Sequence, residues 1–292
     1  VVTAKFHQPF SNIAMNKSKL IQYYNNQSDT FQRYFNQAQE SMEMEAIHQM
    51  RVAIKKLKAI WCLLEMLSDK KWKKTKHFSL VKNLFKSAGK LRETQLNLLM
   101  TEQFEDINLP EYTEDLIKQE KNYSKKLTLS LEKFELQKLE RLNAKLLKAI
   151  INIPDDIVLK QALANVKKRN KKIAKTKGLL FNEHKLHKIR IQLKAMQEIL
   201  AVIEELNTNN AMVTLRSQIK SLNEHIGQWH DYKILSKSLK QFLSKNPHNQ
   251  NTSLIKNVIK DINSEQKERQ QEIFGLIEMY VAEHNPKLNR YI

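Results

Sequence analysis

Residues 47–57 read IHQMRVAIKKL, and residues 186–196 read LHKIRIQLKAM. The two stretches align without a gap, setting His48 against His187, Arg51 against Arg190 and Lys55 against Lys194. Successive residues on an α-helix turn by about 100°, so His48, Arg51, Lys55 and Lys58 fall within an arc of about 80°. Met50, Ala53, Ile54, Leu57, Trp61 and Leu64 take the opposite side. The result is a helix that buries one face and presents cations on the other. Ile189, Leu193 and Met196 back the second stripe in the same way. The spacing therefore sets the fold class as all-α, with a helix of this kind in each half of the chain.

A second pair of stretches follows in the same order and at nearly the same separation. Residues 82–99, KNLFKSAGKLRETQLNLL, align on 220–237, KSLNEHIGQWHDYKILSK. Lys82 meets Lys220, Gly89 meets Gly227 and Glu93 meets Asp231. Two matches in register imply an internal duplication of a four-helix unit. The first repeat is expected over 13–150 and the second over 156–283, together forming one domain.

The rest of the composition agrees. Four glycines and five prolines in 292 residues leave little for a turn-rich β fold, and 41% hydrophobic content is enough for a core. Periodicity and breakers predict eight helices near 13–39, 42–67, 73–102, 112–150, 156–178, 182–206, 211–245 and 252–283. Breaks are expected at Pro110, Pro154, Gly178, Asn207 to Asn210 and Pro247, with a lysine-rich turn after Ser68-Asp69. The 112–150 segment is a candidate for a further break.

A formal charge of +19 attracts nucleic acid, phosphate polymers or an anionic surface. A single cysteine, Cys62, excludes an internal disulfide framework and a cysteine zinc site, which suits a reducing compartment such as the cytoplasm. No apolar run approaches the roughly 18 residues that span a bilayer, and Val1 to Phe10 lacks a signal-peptide core, so no membrane partner is expected.

The candidate binding residues are the repeated cations and their neighbours: His48, Arg51, Lys55, Lys58, Lys82, Lys86, Lys90, His187, Arg190, Lys194 and Lys220. A solvated helix face has no need of the same His, Arg and Lys at the same spacing twice. Glu93 and Asp231 recur among these cations and read as orienting groups for Arg51 and Arg190, since a long basic side chain binds phosphate better when its rotamer is already fixed. A helical glycine costs about 1 kcal/mol relative to alanine, so Gly89 and Gly227 point to a close approach, by a packed helix sooner than by a ligand. The runs KKWKKTK at 70–76 and KKRNKKIAKTK at 167–177 add to the general field, the second reading equally as a solvated or a ligand-facing surface.

At HQMRVAIKKLK, LHKIRIQLK and the segments GKLRE and GQWHD, the sequence resembles the conserved histidine α-helical domain family, CHAD. The resemblance implies two four-helix bundles related by an approximate two-fold axis. It further implies basic residues around a central cavity that binds inorganic polyphosphate. No P-loop, G-x-S-x-G or paired-acid signature is present, so neither catalysis nor a cofactor is expected. Association with polyphosphate granules is compatible with that role. Departures lie at Lys58, where arginine is common, at Ala195 and Gln197, which stand opposite Lys56 and Lys58, and at His230-Asp231, which replaces the usual arginine-aspartate pair.

Two other readings compete with this one. Glu45-x-x-His48 has the spacing of a di-metal bundle ligand pair, but that site needs the motif twice, and His184 stands opposite Glu45. His184 and His187 are more simply phosphate-facing or surface residues than a metal site. A helical RNA or DNA binder would share the charge and could stack bases on Trp72, Trp229 and Tyr232, although these are not spaced as a platform.

Overall fold

In a computed structural model of the chain, which describes residues 17–68, 72–102, 109–176, 182–206 and 210–290, every regular element is helical. Nine helices occur among the described residues: α1 Lys17–Ser41, α2 Met44–Leu67, α3 Lys74–Glu102, α4 Pro110–Glu132, α5 Leu136–Ile151, α6 Asp155–Ala174, α7 Glu183–Leu206, α8 Asn210–Lys245 and α9 Thr252–Arg290. The expected helix start at 13, the turn residues Asp69 to Lys71, the break at Gly178 with Lys177 before it, and Asn207 to Asn209 lie outside the described residues.

The ninth helix corrects the expectation of eight. The 112–150 segment divides at Lys133, the C-cap of α4, and α5 begins at Leu136. Phe134 lies in the break and places its ring 5.7 Å from Phe31 and 5.1 Å from Phe35 of α1, so the bend turns an aromatic side chain into the core. Helix α4 starts at Pro110 itself and not two residues later, because a proline at the first helical position loses no hydrogen bond and brings its backbone angle already set.

The apolar face of α2 is buried as its spacing predicts, with Met50, Ile54, Leu57 and Trp61 fully covered. Trp61 donates its indole N–H to the Tyr24 hydroxyl at 3.2 Å, and that hydroxyl donates to Asn143 Oδ1 of α5. Burying side chains of this size contributes roughly 1.5–3 kcal/mol each, and the hydrogen bonds satisfy the polar atoms taken in with them.

Consecutive helices pack side by side: α1 on α2, α2 on α3 and α3 on α4, then α6 on α7, α7 on α8 and α8 on α9. The halves meet through α2 on α7 and α3 on α8, with α1 on α7 and α2 on α6 at the flanks. Exchanging the halves maps each of these pairs onto another pair that also exists, which is the packing a duplicated unit produces. The main hydrophobic core is continuous through both halves, so the two sets of helices share one interior. A smaller cluster joins Leu109, the N-cap of α4, and Tyr112 and Leu116 of α4 to Leu235, Leu239 and Phe242 of α8 and to α9. The cationic faces of α2 and α7 are consequently brought together in the middle of the molecule, with α3 and α8 closing over them.

Candidate anion-binding cleft

Because α2 and α7 bury their apolar faces in the shared core, their basic faces turn toward a cleft of about 550 Å³ between the halves. His48, Arg51 and Lys55 come from α2, and Arg190 and Lys194 from α7. Helix α3 adds Phe85, Gly89, Arg92 and Glu93, and α8 adds Gly227, His230 and Asp231. Leu96, Met100 and Ile234 line an apolar portion of the same cleft. The lining thus holds five arginine and lysine side chains against two carboxylates.

These charges act on one another across the interface. Burial, then Arg190, Lys55 and Arg51, pull the Lys194 ammonium down to about 8, while Asp231 partly opposes them. Burial also lowers Lys55, with Arg51 and Arg190 adding to the effect and Glu198 working against it. Burial, followed by Arg190, Lys194, His187 and Lys233, takes the His230 imidazole down to about 4, so this ring is neutral at pH 7. His48 is lowered as well, first by burial and then by Arg92. Gathering cations in a half-buried cleft costs free energy unless an anion compensates them.

The anchoring of the two arginines differs. Arg51 donates from Nη1 to the main-chain carbonyl of Phe85, and its guanidinium lies over the Phe85 ring, 4.4 Å from the centroid. The Arg190 side chain makes no hydrogen bond among the described residues, and its buried Nε is unpartnered. Arg92 likewise has a buried Nη1 without a partner. An unsatisfied buried donor costs about 1–3 kcal/mol, more when charged, so these groups have N–H bonds left to donate to an anion's oxygens.

Several sequence-based expectations need correction. Glu93 does not clasp Arg51; it pairs with Lys90 at 3.1 Å and acts on Arg51 only through its field. Asp231 supports Arg190 through its field too, without a hydrogen bond to it among the described residues. Neither glycine is there for helix packing. A Cβ on Gly89 would lie 2.5 Å from Arg51 Nη1, so this glycine makes room for the arginine, while a Cβ on Gly227 would meet nothing within 4 Å.

The predicted stripes are also longer than the cleft. Lys58, Lys82, Lys86, Lys90, His187 and Lys220 fall outside its lining. Lys58 sits beyond one end with its ammonium 4.1 Å above the Phe78 ring. Lys82 and Lys86 are exposed nearer the start of α3, and Lys90 turns out about 100° from Gly89. Lys220 is exposed with Glu224 Oε1 3.9 Å away, and His187 is exposed with its ring centroid 6.4 Å from that of His230.

Sequence reasoning passed over Arg92, Phe85 and Glu198. Arg92 stands opposite His230 in the repeat, and only an alignment tolerant of that exchange marks it. Glu198, one turn beyond Lys194, has its carboxyl raised by burial and held in check by Lys56, Lys55, Arg216 and Lys194. Its counterpart in the first half is Ala59, so the repeat carried no signal for it.

A family model for the CHAD domain matches residues 22–240. Among solved structures, the chain is similar to the crystal structure of the CHAD domain from the plant Ricinus communis. The two share 16% sequence identity and superpose with a TM-score of 0.73, over 93% of this chain and 97% of that one. A search of curated proteins gave no match. Among the described residues no group of three or more His, Cys, Asp or Glu side chains could hold a metal ion, and no helix is long and apolar enough to cross a membrane.

Proposed function

The chain belongs to the CHAD domain family, and from that premise we propose that its central cleft binds inorganic polyphosphate, retaining the polymer without turning it over. The observation that carries this reading is the convergence of Arg51, Lys55, Arg92, Arg190 and Lys194 on one cleft, with buried donors of Arg92 and Arg190 unpartnered. Those donors suit the closely spaced oxygens of a phosphate chain. Arginine can grip two oxygens at once and lysine supplies a mobile point charge, a mixture that tolerates a ligand without fixed shape. The proposal includes the two repeats, 13–150 and 156–283, each contributing one wall. A cytoplasmic role at polyphosphate granules follows from the same reading.

A nucleic-acid function is the second reading, and the aromatic residues argue against it. Trp229 is buried, the Trp72 ring packs on His77 with centroids 4.5 Å apart, and Tyr232 is covered by Arg269 at 5.1 Å. None is presented as a stacking surface for bases.

Titration with orthophosphate, a short oligophosphate and a long polyphosphate at several salt concentrations tests the proposal. Affinity should climb with chain length and level off once both walls are engaged, because the second contact is then intramolecular. The salt dependence should steepen over the same range as more counterions are released. Equal affinity and equal salt slope for all three ligands would reduce the cleft to a local anion pocket.

A further inference from the structure

We propose that Gly89 is a positioning residue, a seat in helix α3 that fixes the Arg51 guanidinium for the ligand, and that its repeat counterpart Gly227 has no such role toward Arg190. The inference rests on the reading of the cleft as a polyphosphate site and adds how one of its arginines is held.

In an α-helix the Cβ of a residue partly covers the carbonyl four residues earlier, which already accepts the helix hydrogen bond. Glycine at 89 leaves the Phe85 carbonyl open on that side, and Arg51 uses the opening to donate Nη1 to it. The fit is close. A Cβ at 89 would stand 2.5 Å from Nη1, 3.2 Å from Cζ and 3.4 Å from Nη2, so the arginine and an alanine cannot share the place. The Phe85 ring supports the guanidinium face, and the Phe78 ring, 5.9 Å away in an edge-on arrangement, braces Phe85 in turn. With one edge anchored, the other donors of Arg51 remain for the cleft.

The second half has the glycine without the rest of the device. Asn223 replaces Phe85 and commits its side-chain amide to Gln197 at 2.7 Å, and nothing lies within 4 Å of the place a Cβ on Gly227 would take. Arg190 therefore reaches the ligand from an unanchored position.

The test measures polyphosphate affinity for Gly89→Ala, Gly227→Ala, Arg51→Ala, Arg190→Ala and the double variants Gly89→Ala/Arg51→Ala and Gly227→Ala/Arg190→Ala. Ordering a long side chain on binding weakens affinity by about 2- to 10-fold, and Gly89→Ala should show a loss of that size. Gly227→Ala, which faces the cleft, should change affinity by the same factor with and without Arg190→Ala, and adding Gly89→Ala to Arg51→Ala should change nothing further. Melting temperature should not fall in Gly89→Ala, since alanine favours the helix. Phe85→Ala supplies a second route that adds no volume at 89, and it too should weaken binding only while Arg51 is present. If the parent binds polyphosphate but Gly89→Ala binds equally well, or loses as much with Arg51 absent, the seat is refuted. If the parent itself does not bind, the functional reading fails first.

Discussion

Arg51 and Arg190 hold equivalent places in the two repeats and line the same cleft, yet their surroundings differ. Arg51 lies on a carbonyl and an aromatic ring supplied by α3, with Arg92 one turn from its seat. Arg190 has an unpartnered Nε, an asparagine where the ring would be, and a neutral histidine where Arg92 would be. The cleft-lining arginine and lysine of α2 recur on α7, whereas the residues of α3 and α8 beside them differ. Under the proposed function, the anchored arginine offers the ligand a set geometry and the unanchored one adapts to it. A polymer of variable conformation suits such a pair, because one fixed contact sets the register and the mobile one follows the chain.

The largest expected effect comes from removing both arginines. Hydrogen bonds to charged groups contribute about 1.5–3 kcal/mol each, so Arg51→Ala/Arg190→Ala should weaken polyphosphate binding by at least about 100-fold. The same change at Lys125 and Lys256, both exposed on other helices, should cost no more than about twofold at physiological salt. Isothermal titration of the two double variants makes the comparison. Equal losses would mean that net charge alone draws the ligand and that the cleft has no privileged role.

A smaller effect is expected from pH, and it arises mainly in the second repeat. Lys194 titrates near 8 in the free protein. A bound polyanion favours the ammonium and raises that value, so between the free and bound values the complex holds more protons than the free protein. Affinity should therefore be greatest below about 8 and fall as pH rises through it, by about threefold to tenfold between pH 7 and 9. His230, near 4 when free, is raised by the same logic, so affinity should gain again as the pH is lowered toward its bound value. Glu198 and Asp231, whose carboxyls burial raises, work in the same direction as they lose charge. Lys194→Met should remove most of the alkaline decline, and His230→Asn should lessen the gain on the acid side, leaving the part due to Glu198 and Asp231. An affinity that rises with pH between 7 and 9 would be incompatible with this arrangement.

Much of the helical architecture was readable from the spacing, because the buried faces of α2 and α7 repeat apolar residues at helical intervals, and those intervals decide which face is covered. His48, Arg51, Lys55, Arg190 and Lys194 were legible for the related reason that their spacing recurs. The limits of the cleft were not. A helical stripe continues for as long as the helix does, whereas the cleft is lined by only a part of α2, α3, α7 and α8, which leaves Lys58, Lys82 and Lys220 outside. The orienting role went to a main-chain carbonyl in place of Glu93, and no side-chain pattern can announce a carbonyl. Glu198 faces Ala59 in the repeat, so the symmetry that revealed the cations concealed their buried counter-charge.

Under the proposed function, the cleft selects a bare phosphate chain over other polyanions. Competition at fixed salt, with labelled polyphosphate on the protein and unlabelled RNA or DNA added at matched phosphate concentration, tests it most directly. The account predicts that unlabelled polyphosphate displaces the label readily while RNA and DNA displace little, and that the preference disappears in Arg51→Ala/Arg190→Ala. Displacement by RNA or DNA as effective as that by polyphosphate would contradict it and return the protein to the class of general nucleic-acid binders.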